Sequence, residues 1–367
     1  MHSPILRVDE LLVRPWRPAD AEAMARACQD PLLQRWMPGL PAPYSPEHAR
    51  TFITAQLGDL SAWHLGIFDE SDLVGSVVLH GIDQDAGTAG LGYWSASWAR
   101  GRRVTERAAR ALLRYAFAAG LVRIGWRATV GNHASRLTAL RLGFTLIGTQ
   151  PGTEKTPDQW LGSLFAEDLT APGAELPDPV RRAARVFSGE PPRLTAGQVT
   201  LRRPVPADVP AMTAGYNDPD VARWFGVPEV WTTVRARDYV DRQVPQWWTG
   251  GVEAVFAIAD HLDSYVGSVD LSVRRDDPAV GEVGYFVRPD HRRRGYAAAA
   301  VRAISRWGFA ELGLERIQIR WEAGNAASGR VAAKAGFTSE GLMRQALVIN
   351  GRRRDCWVAS LLRDEVE

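Results

Sequence analysis

Apolar and polar positions alternate along the second half of the chain in a way that predicts a definite series of elements. VTLRRPV (199–205) reads as a short strand, and PADVPAMTAGYND (206–218) opens a helix that Asp208 is placed to cap. ARDYVDRQVPQWW (236–248) predicts a second helix. VFAIAD, YVGSVDLSVRR and GEVGYFV, between 255 and 287, are apolar β-type runs separated by Asp- and Gly-bearing turns, the pattern of an antiparallel meander. RRRGYAAAAVRAISRWGFAELG (292–313) is helical, with Val301, Ile304 and Trp307 at helical spacing. A strand (RIQIRWEA, 316–323), a helix closed by Gly336 and a hairpin turning at Asn350-Gly351 complete the series. The sum is an α/β fold with a mixed, mostly antiparallel sheet flanked by helices.

The first half repeats this pattern. LVRPWRPADAEAM (Leu12 to Met24) returns as LRRPVPADVPAM (Leu201 to Met212), and Trp36 finds its counterpart in Trp224. LVGSVVL at Leu73 returns as YVGSVDL at Tyr265, and LGYW at Leu91 as VGYF at Val283. GNHASRLTALRLGF (Gly131 to Phe144) matches GNAASGRVAAKAGF (Gly324 to Phe337), and WLGSL at Trp160 matches WVASL at Trp357. The order is preserved and the period is far longer than a solenoid repeat of roughly 20–50 residues, so whole domains are duplicated. Residues 1–169 form the first, 199–367 the second. The Pro-, Gly- and Ala-rich stretch 170–198 is expected to link them, with one short helix across Pro179 to Val186.

Composition narrows the classes. A net charge of +2 gives no field for nucleic acid, although all but two of the basic residues are arginine, the exceptions being Lys155 and Lys334. Two cysteines, Cys28 and Cys356, make neither a disulfide framework nor a metal site. No signal peptide opens the chain and no apolar run reaches the roughly 20 residues of a membrane span, so a cytoplasmic protein without membrane partners is expected.

The chemistry concentrates in GEVGYFVRPDHRRRGYAAAAVRAI (Gly281 to Ile304), a strand running through an arginine-rich loop into a helix. Gly295 can take positive φ, so successive amides can converge on one anion. The helix N-terminus adds free N–H groups, and the arginines add bidentate charge. A pyrophosphate cradle fits, as does a plain solvated turn; by itself a short glycine loop is weak.

Arg292-Arg293-Arg294-Gly295-Tyr296-Ala297 resembles the R/Q-x-x-G-x-G/A motif of the GNAT acyltransferase superfamily. Gly324-Asn325-Ala326-Ala327-Ser328, followed by Lys334-Ala335-Gly336-Phe337, is similar to the second signature of that family, above all in its ribosomal-protein N-terminal alanine acetyltransferase branch. The resemblance implies two tandem GNAT-like domains and acetyl-CoA, or another acyl-CoA, as co-substrate without a metal. It implies that Tyr285, Phe286 and Val287 offer backbone groups to the pantetheine arm, that Arg292, Arg293, Arg294, Gly295, Tyr296 and Ala297 hold the pyrophosphate, and that Asn325 orients the thioester end. Arg330 or Lys334 would reach the 3′-phosphate. The tyrosine acid many members carry on the later helix falls here on Ala332.

Acyl transfer to an amine needs a base, because a free alkyl amine is about 99.9% protonated at pH 7. Glu282 is the candidate, acting through a water, against the plain reading of a solvated strand glutamate. Ser328 is the candidate donor to the leaving sulfur, and equally a candidate helix cap. In the first copy Arg103 and Thr105 stand where the second has Gly295 and Ala297, and Gly90 replaces Glu282. That copy is therefore expected to fold without catalysing, as a pseudo-dimer partner shaping the acceptor cleft. Fourteen tryptophans are present; Trp36, Trp224, Trp231, Trp247 and Trp248 lie where an acceptor wall is expected, with Asp218, Asp220 and Glu229 to attract a cation. The acceptor is expected to be a small-molecule amine or a peptide N-terminus. Competing readings are an acyl carrier protein as donor, or a non-catalytic acyl-CoA sensor or scaffold.

Overall fold

A computed structural model describes all residues except 1–2, 57–58, 60, 154–155, 226–229 and 367, so Lys155 and Glu229 lie outside the described residues. The chain divides into two compact units, Met1–Leu176 and Pro177–Glu367. Each contains an eight-stranded mixed sheet flanked by helices. No helix among the described residues is long and apolar enough to cross a membrane.

Unit two is built on strands β1 (Leu194–Ala196), β2 (Val199–Arg202), β3 (Glu253–Ala259), β4 (Tyr265–Val273), β5 (Val280–Val287), β6 (Arg316–Glu322), β7 (Thr338–Ile349) and β8 (Arg352–Leu362). Their order across the sheet is β7-β8-β6-β5-β4-β3-β2-β1, and only β5 and β6 run parallel. Period-two alternation gives the sheet two apolar faces. Phe256, Ile258, Val269, Leu271 and Val283 pack beneath helix α6 (Tyr296–Trp307), whose Val301, Ile304 and Trp307 do face that core. Ala257 and Phe286 face the other way, against α2 (Val209–Tyr216), α4 (Thr233–Asp238) and the π-type turn Tyr239–Gln243 that follows it. The β7–β8 hairpin turns at Asn350 (φ 48°) and Gly351 (φ 71°), the left-handed pair such a tight turn requires.

Two local expectations are corrected. The segment expected to link the domains is largely built into unit two. Helix α1 (Asp178–Val186) presents Ala183 and Val186 to the core, Phe187 is buried there, and β1 pairs with β2. An apolar edge at helical spacing inside a Pro- and Gly-rich stretch is enough to dock it. Asp208 does not accept from the amides of the helix it precedes. Its carboxylate accepts from the Val205 amide at 2.9 Å and, in buried bonds, from both terminal nitrogens of Arg202 at 2.8 Å. Unit one repeats this pair as Arg14 and Asp20.

Candidate active site

Strands β5 and β6 pair only at Val280–Arg316, Gly281–Ile317 and Glu282–Gln318, and then part. Over Val283 to Val287, β5 keeps its antiparallel partner β4 and has, among the described residues, no strand on its other side. That leaves a row of backbone donors and acceptors facing a gap, and such groups call for a partner. Val283 and Val287 point to the α6 face; Glu282, Gly284 and Phe286 share the opposite one.

The loop after β5 ends in a nest. Arg293 (φ 65°) and Gly295 (φ 81°) are both left-handed, with Gly295 at the N-cap of α6. No backbone or side-chain acceptor among the described residues takes the amides of Arg293, Arg294, Gly295, Tyr296 or Ala297. Alternating left-handed residues aim such amides into one concavity, and the helix end adds its dipole. Of the loop cations, Arg292 is spent: its guanidinium pairs with Asp218 at 2.8 Å and Asp220 at 3.0 Å. Arg294 donates only to the Asp290 carbonyl, and Arg293, Arg330 and Lys334 have no carboxylate partner among the described residues. The Tyr296 ring, by contrast, is buried in the core.

Beyond the gap, helix α7 (Ala326–Lys334) is capped by Asn325, whose Oδ1 accepts from the Ser328 amide at 3.1 Å. The cap is thus Asn325, and the Ser328 hydroxyl is free for another use. It lies 2.8 Å from the Tyr285 hydroxyl. Burial pushes the Tyr285 phenol up to about 12, opposed by its bond to Ser328, so the hydroxyl stays protonated at neutral pH. Sequence reasoning placed a missing tyrosine on α7; the structure brings one from β5. Glu282 is half-buried, accepting from Gln318 at 2.8 Å and from the Arg320 Nε at 2.9 Å.

Unit one makes the same turn with opposite electrostatics. Gly101 (φ 78°) and Arg103 (φ 54°) are its left-handed pair, so the turn forms despite the Cβ of Arg103, and copy two bears an equal burden at Arg293. The difference lies in charge. Arg100 pairs with Asp30, Arg102 with Asp69 at 2.5 Å, Arg103 with Glu175 at 2.6 Å, and Arg107 with Glu10 at 2.8 Å. Glu106 stands in the first turn of the helix Val104–Ala118, buried and paired with Arg110 at 3.0 Å. A carboxylate at that place opposes an anion at the helix end. The position in copy two is Ala298, a contrast visible in the sequence once the two helices are aligned. The His80 ring fills the space where a side chain at Gly90 would lie, while Tyr93 and Ser135 keep the tyrosine–serine contact at 3.3 Å.

The expected acceptor wall divides. Trp231 stacks on Tyr216 at 3.9 Å, and Trp247 and Trp231 both meet Tyr239 edge-on. Trp248 turns away into the core against Phe187 and Trp307, and Trp36 belongs to unit one. Trp224 lies near Gly324 at the end of β6. Asp218 and Asp220 hold Arg292 instead of facing a ligand.

The profile of a family described as acetyltransferase (GNAT) domain matches residues 10–145 and again 198–338. The N-acetyltransferase YoaA of Bacillus subtilis is 26% identical over 180 residues, 47% of this chain and 97% of that protein. The putative ribosomal N-acetyltransferase YdaF of the same organism is 32% identical over 143 residues, 37% of this chain and 78% of its own length. Among solved structures, the ribosomal-protein-S5-alanine acetyltransferase of Vibrio fischeri is similar at 22% identity, over 48% of this chain and 99% of that one, with a TM-score of 0.43.

Proposed function

Because this chain belongs to the acetyltransferase (GNAT) family and is an acetyltransferase, we propose that its second unit carries an acyl group from acyl-CoA to a primary amine. The observation that carries this reading is the nest at 293–297, with five amides free, among the described residues, of intramolecular acceptors beside cations free of carboxylates. Unit one has the same backbone with its loop arginines neutralised, and we assign it no catalytic role.

The nest amides hold the pyrophosphate, and Arg293, Arg294, Arg330 and Lys334 supply charge around it. The co-substrate contributes a thioester, whose carbonyl is open to attack. The open edge of β5 holds the pantetheine arm and offers donors to the oxyanion. Glu282, oriented by Arg320 and Gln318, takes the amine proton through a water. The N–C bond forms, the C–S bond breaks, and the thiolate leaves against a hydrogen bond from the Ser328 hydroxyl, backed by Tyr285, taking up in net the proton the amine has lost. The acceptor is a small amine or a peptide N-terminus.

Isothermal titration of acetyl-CoA into the whole chain tests this directly. One site per chain is expected, weakened at least about tenfold by Ala298→Glu, which copies the carboxylate of unit one. Two equal sites, or a single site indifferent to Ala298→Glu, would overturn the assignment.

A further inference from the structure

Asp270, on β4, lies directly across from Gly284 on β5, at the point where β5 has lost its β6 partner. A Cβ at residue 284 would come within 2.8 Å of both Asp270 carboxylate oxygens, so the glycine makes room for a carboxylate lying over the open strand. Glu253, on β3, reaches the Asp270 carboxyl within hydrogen-bonding distance. Neither acid pairs with an arginine or lysine among the described residues, and both remain half-buried rather than sealed. Tyr216, Tyr239 and Ser268 bring hydroxyls to the same place, and Glu282 adds its charge from β5. The surrounding wall is aromatic: Tyr216 packs on Phe286 at 4.7 Å and on Trp231, whose buried indole N–H has no partner among the described residues.

The duplication supplies an internal control. Unit one has the same strands in the same register, with Val78 at the place of Asp270 and Ala62 at that of Glu253. The fold does not require the acids. Two adjoining carboxyls without a cation are costly to bury as anions and hold a proton between them instead; an ammonium group could take the place of that proton.

We propose that Asp270 and Glu253 form the subsite for the acceptor, receiving its ammonium group between the carboxyls and its apolar or aromatic body along Trp231, Tyr216, Tyr239 and Phe286. The acceptor class is then a primary amine that arrives as its cation. This rests on the reading of unit two as the catalytic copy.

Burial, and then the Glu253 charge, push the Asp270 carboxyl well above the usual carboxylate range, and burial pushes Glu253 up as well. A carboxyl raised in the folded state binds more protons folded than unfolded, so it loses stability as pH rises toward its folded value. The titratable groups facing it are Glu253, Glu282, Tyr216 and Tyr239.

The test uses the whole chain with phenethylamine as a cationic aromatic probe and aniline, neutral at pH 7, as its control. Asp270→Asn is expected to melt higher than the parent at pH 8, by a margin that shrinks toward pH 5. Phenethylamine should raise the melting temperature of the parent and not of Asp270→Asn or Glu253→Gln; aniline should shift none. With saturating acetyl-CoA, both variants should raise KM for phenethylamine at least tenfold. An Asp270→Asn variant that melts lower at every pH would make the pair structural and sink the proposal, as would an equal phenethylamine shift in parent and variant. Titration of acetyl-CoA into Asp270→Asn separates the two readings. Unchanged binding leaves the co-substrate site standing whatever the amine does, whereas absence of binding in the parent removes the catalytic reading itself.

Discussion

Ser328 and Tyr285 are 43 residues apart and meet at 2.8 Å, and the proposed leaving-group step rests on that contact. Ser328→Ala removes the hydroxyl without touching the cap, because Asn325 accepts from the backbone of residue 328. Its kcat should fall about 10- to 100-fold with acetyl-CoA affinity unchanged, in steady-state kinetics beside calorimetry. Tyr285→Phe should fall less, since it removes support and not the nearer donor. Glu282→Gln should lower turnover by about 100-fold while donor binding persists; lost binding instead would mark Glu282 as part of the strand's architecture. Glu282, Ser328 and the 292–297 loop were all visible in the sequence as residue types at suggestive places. The Tyr285 hydroxyl was not, because its partner lies on a helix that only the folded sheet brings alongside.

At the scale of the element, the two loop-and-helix units separate backbone from charge. Each has one glycine and one arginine in the left-handed region, in opposite order. Gly295→Arg should therefore keep the turn, costing about 1 kcal/mol in chemical denaturation, and should weaken acetyl-CoA less than Ala298→Glu does. A carboxylate in the first turn would oppose the proposed phosphate directly. The reverse change is not symmetrical. Glu106→Ala leaves Arg110 buried, 4% exposed, without its anion, and should destabilise unit one by about 3–5 kcal/mol. A Cβ at positive φ strains a turn, yet Arg103 accepts it in copy one and Arg293 carries the same burden in copy two. Glu106 was overlooked in the sequence because an acidic residue in a first turn is ordinary for a helix that binds nothing.

For the whole molecule the proposed function gives the two units unequal duties on one fold. Among the described residues, the loop cations without carboxylate partners all belong to unit two, so acetyl-CoA affinity should fall with added salt, as expected for partly exposed charges screened beyond about 8–10 Å. Titrations at low and high ionic strength would measure the slope, and a flat response would mean the amides alone hold the phosphates. The buried Arg202–Asp208 pair and its duplicate Arg14–Asp20 tie the first strand of each unit to the turn that follows it. Asp208→Ala should lower the melting temperature of the chain, in line with about 3–5 kcal/mol for breaking a buried pair.

The sequence by itself determined the duplication, the α/β class, the order of strands and helices and the loop with its glycine. All of these are local patterns, set by period-two and period-3.6 burial and by residues that tolerate positive φ. Only the tertiary structure decided which charges are spent. Arg292 looks like a phosphate ligand in the chain and is claimed by Asp218 and Asp220, while Asp270 and Glu253 look like ordinary strand polar residues until β3 and β4 set them together over Gly284. Electrostatic partners are chosen by distance in space, and the strand register that sets those distances joins residues far apart along the chain.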